Sequence, residues 1–202
     1  MVTAADSNKI FVQCIDHYHR VDRVDQPFEN PYDSSEFDHL LYHKCWIDTV
    51  QWHYEDLIRV PDIDPKDGMK LKRLIDASNQ KRTDMVEKMD DWFIQVFKEV
   101  KPDLKATVNS ESPAWIIDRL SILALKIYHM QEQASRPDVE ATHLANAKVK
   151  LAVLIEQQID LSTSFDELLA DIHAGRRKMK VYRQMKLYND PATNPALYSQ
   201  EK

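Results

Sequence analysis

The sequence predicts an all-α protein: a single-domain, up-down bundle of about six helices around a central apolar helix at about 113–135. Only 2 of the 202 residues are glycine, which leaves almost none for the tight turns of β-hairpins. Helix-capping signals recur along the chain, and no long segment alternates apolar with polar residues as a half-buried strand does. We expect one domain over residues 1–202, with an irregular tail from about 189.

Capping residues predict where the first two helices begin. Thr3 can cap a first helix that runs to about Val24, because its hydroxyl accepts from the free amides of the first turn. The two prolines of the segment 25–32 cannot continue that helix. The segment 33–36, Asp-Ser-Ser-Glu, reads as a capping box that opens a second helix to about Val60.

Proline marks the starts of the third and fourth helices. Asp64 precedes a proline, which favours a third helix that begins there and runs to about Val100. Ser112 precedes another proline and predicts the fourth helix. That helix is apolar on nearly every side between 115 and 128, as is typical of a helix in the middle of a bundle.

The last two predicted helices follow the proline at 137. A fifth helix is expected to end near Leu161. A second capping box, Ser-Phe-Asp-Glu at 164–167, predicts a sixth helix that continues to Tyr188. Gly175 lies on the apolar stripe of that helix, where a missing side chain would let another helix approach closely.

Several polar residues do not fit a plain apolar core. Asp118 and Arg119 lie inside the central helix, where a charge taken out of water needs a partner. We expect a polar layer across the bundle, and its candidate ligand-binding residues are Asp48, His53, Glu55, Arg82, Asp118, Arg119 and His129. One interpretation is a buried salt-bridge network that only fixes helix register; the other is a pocket for a small ligand or substrate. Glu55 is also placed to form a surface ion pair with Arg59.

Metal binding is a weaker interpretation of two Glu-x-x-His spacings. Glu36 with His39, and Glu140 with His143, have the i, i+3 spacing of di-metal carboxylate bundles. Both pairs fall in the first turn of a helix, where capping already explains the acids. We therefore expect no metal and no cofactor, and we place the remaining histidines of the first two helices (17, 19, 39 and 43) at the surface or its boundary.

A basic segment near the carboxyl end is the clearest candidate for binding a partner. It contains Arg176, Arg177, Lys178, Lys180, Arg183 and Lys186 with no acid among them. As one face of the sixth helix it is either a solvated surface or a docking site for an acidic protein partner or a phosphate-bearing ligand. The net charge is −6, so the rest of the chain carries −12. Nucleic acid is not expected, because the acidic remainder would repel a long polyanion.

The scarcity of glycine and of long apolar segments excludes several classes of protein. Rossmann, P-loop and kinase-like sites need glycine where backbone approaches phosphate. No run of 18 apolar residues predicts a membrane span, and the amino terminus has no secretory pattern. We expect a cytoplasmic protein in which Cys14 and Cys45 are reduced thiols.

Four blocks of the sequence resemble a known family. They are CWIDTVQWHYEDLIR at 45–59, KRLIDASNQKRTD at 72–84, NSESPAWIIDRLSIL at 109–123 and KVYRQMKLYND at 180–190. Their order over nearly the whole chain is similar to the bacterial family called domain of unknown function 4254. The resemblance implies no activity, but it implies an accessory role in bacterial surface-glycan biosynthesis.

Two functions follow as expectations. The first is a non-catalytic binding or accessory protein that uses the basic helix. The alternative is an enzyme or small-ligand binder that uses the polar layer, and a di-metal carboxylate site is the third choice.

Overall fold

The computed structural model describes residues 2–185 and 191–199, and the predicted all-α bundle is confirmed. Its helices are α1 (Ala4–Tyr18), α2 (Phe37–Leu57), α3 (Pro65–Val96), α4 (Pro113–Ser135), α5 (Ala141–His173) and the single-turn α6 (Pro195–Tyr198). Within the described ranges the only β-type pairing is an isolated bridge between Thr107 and Arg177.

Three helix starts are capped as the sequence predicts. The side chains of Thr3, Asp64 and Ser112 each accept a hydrogen bond from an amide of the following first turn. Proline occupies the first position of both α3 and α4, where its missing N–H costs no hydrogen bond. Local chemistry therefore determines where these helices begin.

Three helices end earlier than predicted. The prediction that the first helix reaches Val24 is wrong: α1 ends at Tyr18, and Asp22 then adopts a left-handed backbone with φ of 57°. Helix α2 ends at Leu57 rather than near Val60, and α3 ends at Val96 rather than near Val100. Helix ends carry weaker sequence signals than helix starts.

The capping box at 33–36 does not form. The amino cap of α2 is Glu36, whose side chain makes no capping hydrogen bond. Asp33 instead accepts hydrogen bonds from the amide and hydroxyl of Ser35 at 2.9 Å and 2.6 Å. This turn leads the chain into α2 without a capping side chain.

The predicted fifth and sixth helices are one continuous helix, α5. The box at 164–167 lies inside this helix, and the carboxylate of Asp166 accepts a hydrogen bond from the Ala4 amide of α1 at 2.9 Å. Phe165 and Leu168 are buried in the core on the same helix. Asp166, which the sequence places in a capping box for its own helix, therefore caps the start of α1 instead.

The prediction of a basic sixth helix is also wrong. Helix α5 stops before Gly175, which has φ of +75°, and the chain from 176 to 185 is not helical. The backbone of this segment pairs with Thr107 through the Lys178 amide at 2.9 Å. The close approach expected at Gly175 is real, but its neighbour is a loop, because a Cβ there would lie 3.0 Å from the Lys101 carbonyl oxygen. Residues 186–190, with Lys186 and the expected end at Tyr188, lie outside the described residues.

Helix α4 is the central element, as predicted. It packs against α1, α2, α3 and α5, and its buried residues include Ile117, Leu120 and Leu125. A single cluster of buried apolar residues extends from Ala4 to Ile172. None of the helices in the described ranges combines the length and the apolar character that crossing a membrane requires.

Candidate functional site

Four charged side chains meet inside the bundle, and we call them the buried charge cluster: Lys44, Asp48, Arg82 and Asp118. The Lys44 ammonium contacts the carboxylates of both Asp48 and Asp118, the latter at 3.0 Å. The Arg82 guanidinium donates two hydrogen bonds to Asp118, at 2.7 Å and 2.6 Å. Ser121 donates to Asp48 at 2.6 Å. Two cations thus face two carboxylates, and the structure brings together three of the seven residues proposed for the polar layer: Asp48, Arg82 and Asp118.

The two carboxylates of the buried charge cluster differ in their surroundings. Burial raises the pKa of Asp48 above its ordinary value, although the Lys44 charge opposes this effect. Burial would also raise the pKa of Asp118, but the hydrogen bonds from Arg82 and the charge of Lys44 outweigh it, so that pKa lies below its ordinary value. Asp118 is therefore the better-paired carboxylate. Asp48 keeps one oxygen, Oδ1, that accepts no hydrogen bond.

Two predicted members of the polar layer lie elsewhere. Arg119 is exposed and pairs with Glu111 at 2.7 Å, so the prediction that it meets a partner inside the bundle is wrong. One helical residue turns by about 100°, which carries Arg119 out of the interface that buries Asp118. Glu55 forms the predicted surface ion pair with Arg59 at 2.6 Å.

The remaining two predicted residues, His53 and His129, belong to a second cluster with His19, and we call it the histidine cluster. One ring nitrogen of each lies within 4.8 Å of one ring nitrogen of each of the others. In all three rings Nε2 is buried and has no hydrogen-bond partner. The three residues come from the end of α1, from α2 and from α4. Three separate segments of the chain thus bring one imidazole each to the same place.

The tautomers of two of these rings follow from their partners. His19 Nδ1 lies 2.7 Å from the Ile15 carbonyl oxygen, and His129 Nδ1 lies 2.9 Å from the Glu132 carboxylate. Both partners can only accept, so each Nδ1 carries the hydrogen and each neutral ring has its lone pair on Nε2. This arrangement, with Nδ1–H on a carbonyl or carboxylate, is typical of histidines that bind metals through Nε2.

Each ring of the histidine cluster also has its own aromatic partner. Tyr128 stacks on His19 with ring centroids 4.3 Å apart, and Tyr18 stacks on His53 at 5.0 Å. The third stack joins Trp52 and His129, at 4.8 Å. These contacts fix the planes of the three imidazoles. Burial also lowers the pKa of His53, which keeps its ring neutral near pH 7.

Asp22 lies at the edge of the histidine cluster. One of its carboxylate oxygens is 3.5 Å from His53 Nε2 and 4.0 Å from His19 Nε2. The left-handed backbone of Asp22 costs free energy for a residue with a Cβ. The turn after α1 thus places a carboxylate next to two of the three nitrogens.

The two Glu-x-x-His pairs are not part of the histidine cluster. Among residues 2–185 and 191–199, neither Glu36 with His39 nor Glu140 with His143 joins a group of three potential metal ligands. His39 Nδ1 contacts the Tyr32 carbonyl oxygen at 3.0 Å. His19 is not among the predicted site residues, because proximity between residues 19, 53 and 129 leaves no spacing pattern in a single sequence.

The arginines of the basic segment are already paired within the chain. Arg176 and Arg177 both contact Asp171, at 2.7 Å and 3.8 Å. Arg183 contacts Asp91 and lies 3.5 Å from Glu87. The Lys180 ammonium lies 5.1 Å from the centre of the Tyr182 ring, and Lys178 is exposed. Much of the positive charge predicted to attract a partner is thus neutralised by acids of this chain.

The comparisons with known proteins identify a family but no activity. No curated protein matches this chain, and no solved structure matches it. One family model, described as protein of unknown function (DUF4254), matches residues 38–181. The chain belongs to this family.

Proposed function

We propose that this DUF4254 protein binds a divalent transition metal of the zinc class, through His19, His53 and His129 with Asp22 as the fourth ligand. The observation that carries the proposal is that three histidines each bring one ring nitrogen to within 4.8 Å of the others, and that each has a buried Nε2 without a hydrogen-bond partner. Three imidazoles and a carboxylate are ligands that suit Zn²⁺.

A metal explains the histidine cluster better than simple packing does. A buried polar atom without a hydrogen-bond partner costs roughly 1–3 kcal/mol, and the histidine cluster contains three such nitrogens. Protonating the rings would bring like charges together in a buried space. One cation takes all three lone pairs at once and removes both costs.

The spacing is compatible with coordination after a small adjustment. For three atoms that lie within 4.8 Å of one another, a central point lies at most about 2.8 Å from each, whereas Zn–N bonds are about 2.0–2.1 Å. Each ring therefore has to move inward by no more than about 0.7 Å, which side-chain rotation accommodates. Asp22 lies at the open edge, where its side chain is 54% exposed.

A metal with four protein ligands has no open coordination position, as in proteins where zinc has a structural role. Such a site would tie the end of α1 to α2 and α4, the helices that supply the other two histidines. This favours the non-catalytic interpretation of the protein. The proposal also includes an accessory role in surface-glycan biosynthesis, which the family resemblance implies.

Metal titration tests the proposal. Protein stripped with EDTA is titrated with Zn²⁺ and with Co²⁺, whose visible absorption reports coordination by nitrogen and oxygen. We expect one equivalent of either metal to bind and to raise the melting temperature. His53→Gln and His129→Gln should each weaken Zn²⁺ binding on the order of 100-fold or more, since even residues behind the ligands contribute 10–100-fold.

Two further variants keep the test decisive. His143→Gln removes an exposed histidine outside the cluster and should bind Zn²⁺ as the wild type does. Asp22→Asn changes a half-exposed side chain, so the fold should persist while Zn²⁺ affinity falls at least about tenfold. The proposal fails if the stripped wild type binds neither metal, or if His53→Gln and His129→Gln bind as tightly as His143→Gln.

A further inference from the structure

A second site candidate lies beside the buried charge cluster. A cleft of about 300 Å³ opens between α2, α3 and α4. Asp48, Gln51 and Asp56 line it from α2, and Ile122 and Leu125 line it from α4. Its volume falls at the lower end of the range for small-molecule sites, so any ligand must be small. We call it the acceptor cleft.

Two buried hydrogen-bond acceptors in this wall have no donor. Asp48 is 5% exposed, and its Oδ1 accepts no hydrogen bond. The nearest cation to that oxygen in the cleft wall, Arg82, places its Nε 3.8 Å away, beyond hydrogen-bond distance. Gln51 Oε1 is likewise buried and unpartnered, while its Nε2 donates to Asn79 at 2.8 Å. Residues 48 and 51 are three apart on a helix and share one face.

The cations in the wall cannot serve these acceptors, because other carboxylates hold them. The Nε and one Nη of Arg82 donate to Asp118. Arg59, also in the wall, is bound to Glu55. The donors that the two acceptors need must therefore come from outside this set of side chains.

The charged side chains in and next to the wall of the acceptor cleft balance one another, apart from one negative charge. The buried charge cluster contains two cations and two carboxylates, and Arg59 balances Glu55. Asp56 remains, exposed at the edge of the cleft. The wall as a whole thus carries about one negative charge, which favours a ligand with one positive charge.

We propose that the acceptor cleft binds a small primary alkylammonium ion. Its N–H groups would donate to Asp48 Oδ1 and Gln51 Oε1 once the side chains that cover these buried oxygens move aside, and its alkyl chain would lie against Ile122 and Leu125. Trp52 also lines the cleft, and aromatic rings near a bound cation attract ammonium groups.

The state of Asp48 supports this assignment. Burial raises the pKa of this carboxyl because the charged form is poorly solvated. An ammonium ion at Oδ1 would supply the missing donor and a compensating charge. The inference does not depend on the histidine cluster, because none of its three histidines lines this cleft.

The test uses three probes that share one alkyl chain: butylammonium chloride, butanol and sodium butyrate. Binding to wild-type protein is measured by calorimetry and by the NMR shift of the Gln51 side-chain amide. EDTA is present throughout, so that no probe can act as a ligand to a metal. We expect saturable binding of butylammonium, and binding of butanol and butyrate that is at least about tenfold weaker.

Variants separate the cleft from the general surface. Gln51→Leu removes one acceptor while leaving the buried charge cluster intact, and should weaken butylammonium binding roughly tenfold. Gln95→Leu makes the same exchange at an exposed position of α3 and should leave binding unchanged. Asp56→Asn should weaken binding severalfold, with a larger effect at low salt than at high salt.

Three results would overturn the inference. Absence of saturable butylammonium binding would mean that ordered water alone serves the two acceptors. Equal binding of butanol would show that charge is not recognised. Equal effects of Gln51→Leu and Gln95→Leu would place the bound amine elsewhere on the protein. None of these results bears on Zn²⁺ binding, which is measured separately.

Discussion

The indole of Trp52 lies face to face with the imidazole of His129, with ring centroids 4.8 Å apart and planes inclined by only 13°. The same indole lines the acceptor cleft. One side chain of α2 therefore separates the histidine cluster from the acceptor cleft. Any movement of Trp52 has to displace a wall of the cleft and the support of a proposed metal ligand together.

Glu132 should control metal affinity without touching the metal. Its carboxylate accepts from His129 Nδ1 at 2.9 Å and so holds the ring with Nε2 free. We expect Glu132→Gln to lower Zn²⁺ affinity 10- to 100-fold, as changes behind a ligand typically do. Glu156→Gln, on the exposed side of α5, is the matched control in the same titration. Equal affinities of the two variants would contradict the proposed role of Glu132.

The buried charge cluster should be sensitive to the loss of a single member. Lys44→Met leaves Asp48 and Asp118 facing each other without their shared cation. We expect the free energy of unfolding to fall by about 3–5 kcal/mol, the usual cost of breaking a buried ion pair. Lys148→Met, at an exposed position of α5, should change it by no more than about 0.5 kcal/mol. Urea unfolding followed by circular dichroism measures both, and similar values for the two variants would show that the cluster is not stabilising.

The two glycines should respond in opposite directions to alanine. Gly175 has φ of +75°, and a Cβ there would lie 3.0 Å from a backbone oxygen. Gly175→Ala should therefore destabilise the protein by about 1–3 kcal/mol. Gly68 lies in α3, and its Cβ would meet only Ile63 Cγ2 at 3.8 Å, so Gly68→Ala should stabilise by about 0.5–1 kcal/mol. Thermal melts of both variants test the pair, and shifts of the same sign would be evidence against the described turn.

Asp90 should make stability depend on pH. Burial raises its pKa to about 6, partly offset by Ser112 and Arg183 and reinforced by Asp91 and Glu87. The folded protein thus holds this proton more tightly than the unfolded chain, so the contribution is fully present below about pH 4 and is lost as pH rises through about 6.

The variant Asp90→Asn removes this titration. Relative to the wild type, its free energy of unfolding should therefore increase between pH 4.5 and pH 7. After allowance for solvent screening the change should be roughly 1–2 kcal/mol. Urea unfolding at several pH values provides the comparison, and parallel pH profiles for the two proteins would refute the assignment.

The helix starts could be predicted because their signals are local. Thr3, Asp64 and Ser112 each bond to amides two or three residues away, which a reader of the sequence can anticipate. The box at 164–167 has the same residue types but serves a different helix, since Asp166 caps α1. A single sequence does not distinguish an acid that caps its own helix from one that caps a distant helix.

The buried charge cluster was partly predictable for a different reason. A carboxylate such as Asp118 in an otherwise apolar helix requires partners, and the predicted polar layer includes Asp48 and Arg82 among its seven residues. Lys44 was not anticipated, because a lysine in an amphipathic helix is ordinarily solvated. The histidine cluster depends on contacts between residues as far apart as 19 and 129, which periodicity and spacing do not encode.

The complete enclosure of Lys44 has a consequence for chemical labelling. Its side chain is 0% exposed, so an acylating reagent or an acetyltransferase cannot reach this amine while the bundle is closed. Acylation at this position would record only molecules that have opened globally or have not finished folding. The extent of acylation at Lys44 thus distinguishes folded from unfolded molecules.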